Sequence, residues 1–206
     1  NNGSDVANWV FDSARKAGDS AVVASDSNCY VVVFRSVGRQ EYATKDVRHI
    51  LFKVDESALD SEAETYEADL QAAKDAAKAA AEDALAQWKA GEATEDSFAT
   101  LANELSADDG SNTNGGLYTK IYKNQMVTEF NDWCFDASRQ SGDTGIVYGE
   151  SSNYKGYHVM YFVGDDVPYW QVQAENALRN TDTEAWLDGL LDSADVVQEN
   201  GMKHVG

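Results

Sequence analysis

The chain has 206 residues, 43% of them hydrophobic, with five Trp, ten Tyr and seven Phe. That is enough apolar surface for a real core, so disorder does not describe the whole chain, and the length suits one domain with an appendage or two small domains. Sixteen Lys and Arg against 36 Asp and Glu leave a net charge of −20, a field that repels phosphate backbones and anionic lipid headgroups, so nucleic acid and polybasic membrane docking are poor candidates.

Residues 5–17 (DVANWVFDSARKA) place Val6, Trp9, Val10 and Ala14 on one helical stripe, ended by Gly18. Cys29–Phe34 (CYVVVF) is β-branched and aromatic and reads as a strand, as does 46–54 (DVRHILFKV). From Ser57 to Ala90 the composition of Ala, Glu, Asp, Lys and Gln predicts one long helix stopped by Gly91, its acidic face solvated. Glu95–Leu105 is a short amphipathic helix, and 106–116 (SADDGSNTNGG) is loop by composition. A helix over Thr128–Gln140 carries Phe130, Trp133, Cys134 and Phe135; a strand follows at Gly156–Val163. Two terminal helices are expected, Tyr169–Asn180 and Thr183–Leu191. This order predicts an α+β fold, a small antiparallel sheet covered by helices.

No run approaches the ~20 apolar residues of a membrane span, and no signal peptide opens the sequence. Membrane contact is expected only through a segment absent from it. Cys29 and Cys134 sit far apart among apolar or aromatic residues, which reads as two buried free thiols, with a disulfide in an oxidising compartment as the alternative. Histidines at 49, 158 and 204 and no C-x-x-C leave no basis for a metal site or a cofactor.

Sliding the chain by 124 places WVFDSARKAGDSAVV (9–23) over WCFDASRQSGDTGIV (133–147), with Trp, Phe, Asp, Arg, Gly, Asp and Val coinciding. A polar loop and an aromatic-rich strand, CYVVVF and YHVMYF, follow each. Residues 1–43 therefore read as the back half of a second copy, without the histidine. A half-domain cannot bury its face alone, so it is expected to dock on the rest of the chain.

Three segments line up in order: VRHILFKV (47–54), the run SADDGSNTNGGLY…NQMVTEF (106–130), and SGDTGIVYGESSNYKGYHVMYFV (141–163). Together they resemble the parvulin family of peptidyl-prolyl cis/trans isomerases over about residues 44–165. Without the resemblance, His49 and His158 would read as satisfied structural histidines and Met126 and Phe130 as core. The resemblance implies a parvulin-like domain at 44–166, a partial half-repeat at 1–43 and a helical extension at 167–206. It implies that His49 and His158 share a hydrogen-bond network beneath the substrate, with Asp108 beside them and Asp109 as the neighbouring alternative. Leu117, Met126 and Phe130 would receive the proline ring, and Gln125 would contact substrate backbone. No metal is implied. Tyr118 stands where many relatives have a small residue, narrowing the pocket rim.

Rotation about an X–Pro bond crosses roughly 20 kcal/mol because amide resonance must be broken. No bond is made or cleaved, so a pocket that grips the ring, together with a few placed polar groups that stabilise the twisted amide, suffices. The segment after His49, KVDESALDSE, carries four acidic residues against one Lys, which argues against phosphopeptides. The trailing helices resemble the C-terminal extension of extracytoplasmic bacterial foldases, implying an exported, membrane-tethered isomerase acting on unfolded, proline-containing chains. The alternative is a non-catalytic chaperone that uses the same fold to bind peptides.

Overall fold

The computed structural model describes residues 5–24, 28–152 and 154–193. The chain forms two compact units that divide between Gln40 and Glu41.

In the larger unit, a four-stranded antiparallel sheet has the order β4-β3-β6-β5, built from β3 (Ala43–Lys53), β4 (Leu117–Ile121), β5 (Thr144–Glu150) and β6 (Lys155–Pro168). The two central strands carry nearly continuous apolar runs because helices cover both of their faces. On one face, α2 (Tyr66–Ala90) and α3 (Glu95–Leu105) bury Ile50, Val159 and Tyr161 with Trp88, Phe98 and Leu101. On the other, α4 (Thr128–Cys134) packs Phe130 and Cys134 against Val47, Ile121 and Met160. The architecture is α+β, a small antiparallel sheet covered by helices. A C-terminal helix, α5 (Tyr169–Ser193), follows β6.

In this unit three helices depart from the sequence-based expectation, each for a local reason. The long helix begins at Tyr66 and not at Ser57, because Asp55 and Asp60 accept from the amides of Ser57 and Glu62 at 3.0 Å each, and such side-chain turns compete with helix. The same device ends α4 at Cys134 and not at Gln140: Asp136 accepts from the Ser138 amide at 2.8 Å. At the C-terminus the expected pair of helices is one continuous helix. Thr181 and Thr183 donate to the carbonyls of Ala177 and Arg179 at 3.0 and 2.8 Å, tying their hydroxyls into the helix where a break was expected. The start of α5 is clasped by aromatic stacking: Tyr169 lies over Tyr42 and Tyr122, with ring centroids at 5.4 and 4.8 Å. Farther along, Trp186, Leu187, Leu190 and Leu191 are exposed. No helix among the described residues is long and apolar enough to cross a membrane.

The smaller unit holds α1 (Asp5–Val10), shorter than the expected 5–17, and an antiparallel hairpin, β1 (Ser20–Ala24) with β2 (Cys29–Val33). Asp12 accepts from the Ala14 amide at 2.9 Å and stops α1 as Asp136 stops α4. Both cysteines are free thiols. Cys134 is buried, and burial pushes it up to about 12. The expectation of a second buried thiol fails at Cys29, which is exposed because the outer face of its hairpin is bare.

The echo detected in the sequence is also a structural one. The β1–β2 register pairs Ser20 with Val33 and Val22 with Val31; β5–β6 pairs Thr144 with Tyr161 and Ile146 with Val159. Arg15 Nε donates to the Trp9 carbonyl at 2.9 Å, and Arg139 Nε donates to that of Trp133 at 3.2 Å. Each guanidinium also lies over its tryptophan, at 4.3 and 4.1 Å from the ring centroid.

Candidate active site

Alternation along β3 sends Val47, His49 and Leu51 to the face shared with α4. On β6 the same alternation brings His158, opposite Leu51 in the register, to that face. The two histidines are thus diagonal neighbours, with Nδ1 atoms 3.0 Å apart. Both are almost fully buried, at 4% and 3% exposure.

The 106–116 loop supplies the acid. Gly116 has a φ of +70°, and a Cβ there would lie 2.2 Å from the His49 carbonyl oxygen. Only glycine lets the loop lie this close to β3, where the His49 amide donates to the Gly116 carbonyl at 2.9 Å. So anchored, the loop sets Asp108 Oδ2 at 2.9 Å from His49 Nε2. Ser111 and Tyr118 also donate to that oxygen, the tyrosine at 3.0 Å. The His49 bond foremost, with help from Ser111, holds the Asp108 carboxyl well below the usual carboxylate range. Burial, then the hydrogen bond to Asp108 and its charge, pushes Tyr118 up to about 12, so the phenol stays a donor. Burial and the neighbouring His49 push His158 down to about 3, so it is neutral at physiological pH.

The neutral His158 carries one ring proton, so one of its nitrogens donates and the other accepts. Its Nε2 meets the Tyr154 hydroxyl at 3.1 Å and its Nδ1 meets His49 Nδ1, while His49 Nε2 bonds the Asp108 carboxylate. No buried side-chain nitrogen or oxygen among the described residues is left without a partner.

The network floors a cavity of about 290 Å³ lined by His49, Leu51, Lys53, Asp108, Tyr118, Met126, Val127, Phe130, Tyr154 and His158. The Phe130 ring meets both imidazoles edge-on, with centroids 5.6 Å from His49 and 5.4 Å from His158. One apolar wall, one aromatic platform and a buried polar floor give a slot suited to a small ring beside a polar group. Among the described residues, no three His, Cys, Asp or Glu side chains are placed to hold a metal ion.

The structure brings five of the seven predicted residues to this cavity: His49, Asp108, His158, Met126 and Phe130. It places the other two elsewhere. Leu117 pairs with Arg48 across the β3–β4 ladder and so takes the α3 face, where Arg48 bonds Glu95. Its neighbour Tyr118 lines the cavity in its place. Gln125 turns its side-chain oxygen to accept from the Tyr122 amide at 3.0 Å. Leu51, Lys53, Val127, Ser111 and Tyr154 were not foreseen. Ser111, three residues after Asp108 in a turn-rich run, carried a readable signal for a bond to that carboxylate. Tyr154 carried none.

Comparison with known proteins yields a family and distant structural relatives. No curated protein matches the chain. Among solved structures, the chain resembles peptidylprolyl isomerase PrsA from Bacillus cereus at 22% identity and a TM-score of 0.42, covering 78% of this chain and 54% of that one. It also resembles a structure from work on PEB4 and Cj1289 of Campylobacter jejuni, described as SurA-like chaperones, at 22% identity and a TM-score of 0.39, covering 76% of this chain and 56% of that one. The chain thus spans little more than half the length of either. The family model described as Rotamase, PPIC-type PPIASE domain, matches residues 49–164, more than half of the sequence and all of the cavity's lining, and the chain belongs to that family.

Proposed function

We propose that the cavity is the active site of a peptidyl-prolyl cis/trans isomerase that acts on unfolded or partly folded chains. The observation that carries this reading is the convergence of His49, Asp108 and His158 with Met126 and Phe130 on one cavity of about 290 Å³. Met126 and Phe130 hold the proline ring. The wall they form disfavours the polar planar amide, and the His–His–Asp floor stabilises the twisted amide through hydrogen bonds, with no covalent step. His158, neutral through burial, acts as a fixed dipole within the network and not as a general base.

Among the described residues Lys53 is the single Lys or Arg lining the cavity. Glu56, three residues on, is paired with Lys155 at 2.9 Å. One cation in a chain of charge −20 favours ordinary polypeptide substrates over phosphorylated ones. The reading extends to the domain plan: an isomerase domain at 44–166, a partial repeat at 1–43, and an extension at 167–206, of which 194–206 lie outside the described residues and whose helix α5 exposes Trp186, Leu187, Leu190 and Leu191 for client or partner contact. Assistance to exported proteins outside the cytoplasm fits that plan and the named relatives.

A proline-isomerisation assay coupled to a conformation-selective protease tests the proposal. The chain should accelerate relaxation of an Ala-Pro peptide, and Met126→Ala or His158→Ala should remove most of that rate. A rate equal to buffer, unchanged by either substitution, overturns the enzyme reading and leaves a peptide-binding module.

A further inference from the structure

The β1–β2 hairpin pairs in the register of the equivalent stretch of β5–β6, yet lacks what surrounds it. With Phe34 and Phe162 aligned by their equivalent bonds to Gly18 and Gly142, at 2.9 Å each, Val31 corresponds to Val159 and Val33 to Tyr161. In the complete domain these two β6 residues are 0% and 9% exposed, covered by α2 and α3. In the half-copy Val31 is 80% exposed and Val33 60%; Val22, at the place of Ile146, is 70% exposed. The alternate residues Ala21, Val23 and Val32 are partly covered, in the unit where α1 packs on β1. The bare face is therefore the one that α2 and α3 cover in the complete domain.

The ladder edge tells the same story. β6 is hydrogen-bonded to β5 on one side and to β3 on the other. Among the described residues β2 pairs only with β1, leaving bare the edge that β3 occupies in the complete domain. β2 is apolar on both faces (CYVVV), the pattern of a strand buried on both sides within a sheet. A two-stranded hairpin with one apolar face in water is marginal by itself.

We propose that residues 5–40 are the back half of a second rotamase-type domain. Its bare valine face and β2 edge seat a front half built like β3–α2–α3–β4, a strand followed by two amphipathic helices. The complete domain runs front half before back half, so that segment is carried by the same polypeptide, ahead of the half-copy. Tyr30 stands where His158 stands, so the second domain holds no paired-histidine network; it is a structural or peptide-binding partner of the first. This inference is independent of whether the first site is catalytic.

Hydrogen exchange at the Val31 and Val33 amides tests it, in the 206-residue chain and in the natural polypeptide extended upstream by the length of the Ala43–Ile121 front half. In the shorter chain these amides should exchange about 100-fold faster than those of Val159 and Tyr161. In the extended chain they should slow to the β6 level, and Val31→Asp with Val33→Asp should abolish that protection while leaving isomerisation at the His49 site unchanged. Equal exchange in the two chains overturns the proposal. So does protection already present in the 206-residue chain, whether from its own remainder or, if concentration-dependent, from a second copy. A natural polypeptide with no upstream strand–helix–helix segment overturns it outright.

Discussion

Two segments of this molecule, residues 5–34 and 129–162, share many local bonds and differ in nearly everything non-local. In both, an aspartate closes the turn after a short helix, an arginine folds back onto a tryptophan, and a glycine sits at positive φ, 94° at Gly18 and 90° at Gly142. Asp19 accepts from the Lys16 amide and Asp143 from that of Gln140, both at 2.9 Å. The Phe34 and Phe162 amides donate to the carbonyls of those aspartates at 2.8 Å each. Yet Met160 is fully buried while its counterpart Val32 is partly open, and His158 lies in a four-group network where Tyr30 is 43% exposed. Short-range sequence is sufficient for the turn, and the site exists only where a front half supplies His49, Asp108 and the cover.

The largest expected contrast is in stability. Met160→Ala removes a fully buried side chain and should cost about 3 kcal/mol in urea unfolding. Val31→Ala, on the bare face of the half-copy, should stay within about 0.5 kcal/mol. Comparable losses would mean that the hairpin face is covered after all.

Catalysis should separate the halves next. Asp108→Asn keeps the shape and removes the charge that His49, Ser111 and Tyr118 converge on, and kcat/KM for a proline peptide should fall about 100-fold. An unchanged rate would detach the network from the chemistry.

Acid should also act on one half alone. His158, facing His49, Phe130 and Tyr154, is held at about 3, against roughly 6.5 in an unfolded chain. Between those values the unfolded state binds a proton that the folded state does not, so stability falls as pH drops from about 6.5 toward 3. Asp108, held below the usual range, adds a loss that begins only below about pH 4. Exchange at β5–β6 amides should quicken over the upper window, and His158→Gln should remove that part. The β1–β2 amides, with Tyr30 at the matching position, should show no such step.

Smaller effects follow. Tyr118→Phe deletes one of three side-chain donors to Asp108 and keeps the ring in the wall. A roughly fivefold loss of kcat/KM is expected, with the acid limb of its pH profile moved upward because the carboxyl loses a stabilising bond. Tyr30→His, which restores the missing histidine to the half-copy, should add no isomerase activity in the 206-residue chain. A measurable gain would show that the half-copy finds the rest of a site elsewhere in this chain.

The site was legible in proportion to how local its causes are. His49 and His158 stand inside unambiguous strands, and Asp108 and Gly116 inside an unambiguous loop, so their types and order pointed to one constellation. The strands β1, β4 and β5 were harder to read, because short segments such as LYTKI and TGIVYGE carry weak alternation and depend on partners for their pairing. Leu117 was placed on the wrong face by one residue. Side chains alternate with a period of two, so a single-residue offset in the β3–β4 ladder exchanges Leu117 for Tyr118. Gln125 was lost for another reason: its amide found a backbone partner in its own turn, a choice that composition does not reveal.

From its residues alone this chain determined its α+β class, the parvulin-like order of motifs, its repeated half and the residue types of a polar floor under an apolar wall. Those properties follow from backbone propensity and turn chemistry, which act over a few residues. Only the tertiary structure decided that Tyr154 closes the network, that β4 presents Tyr118, that the tail is one helix, and that the half-copy keeps an uncovered face. Register, burial and desolvation arise where segments distant in sequence meet, and a linear pattern does not carry them.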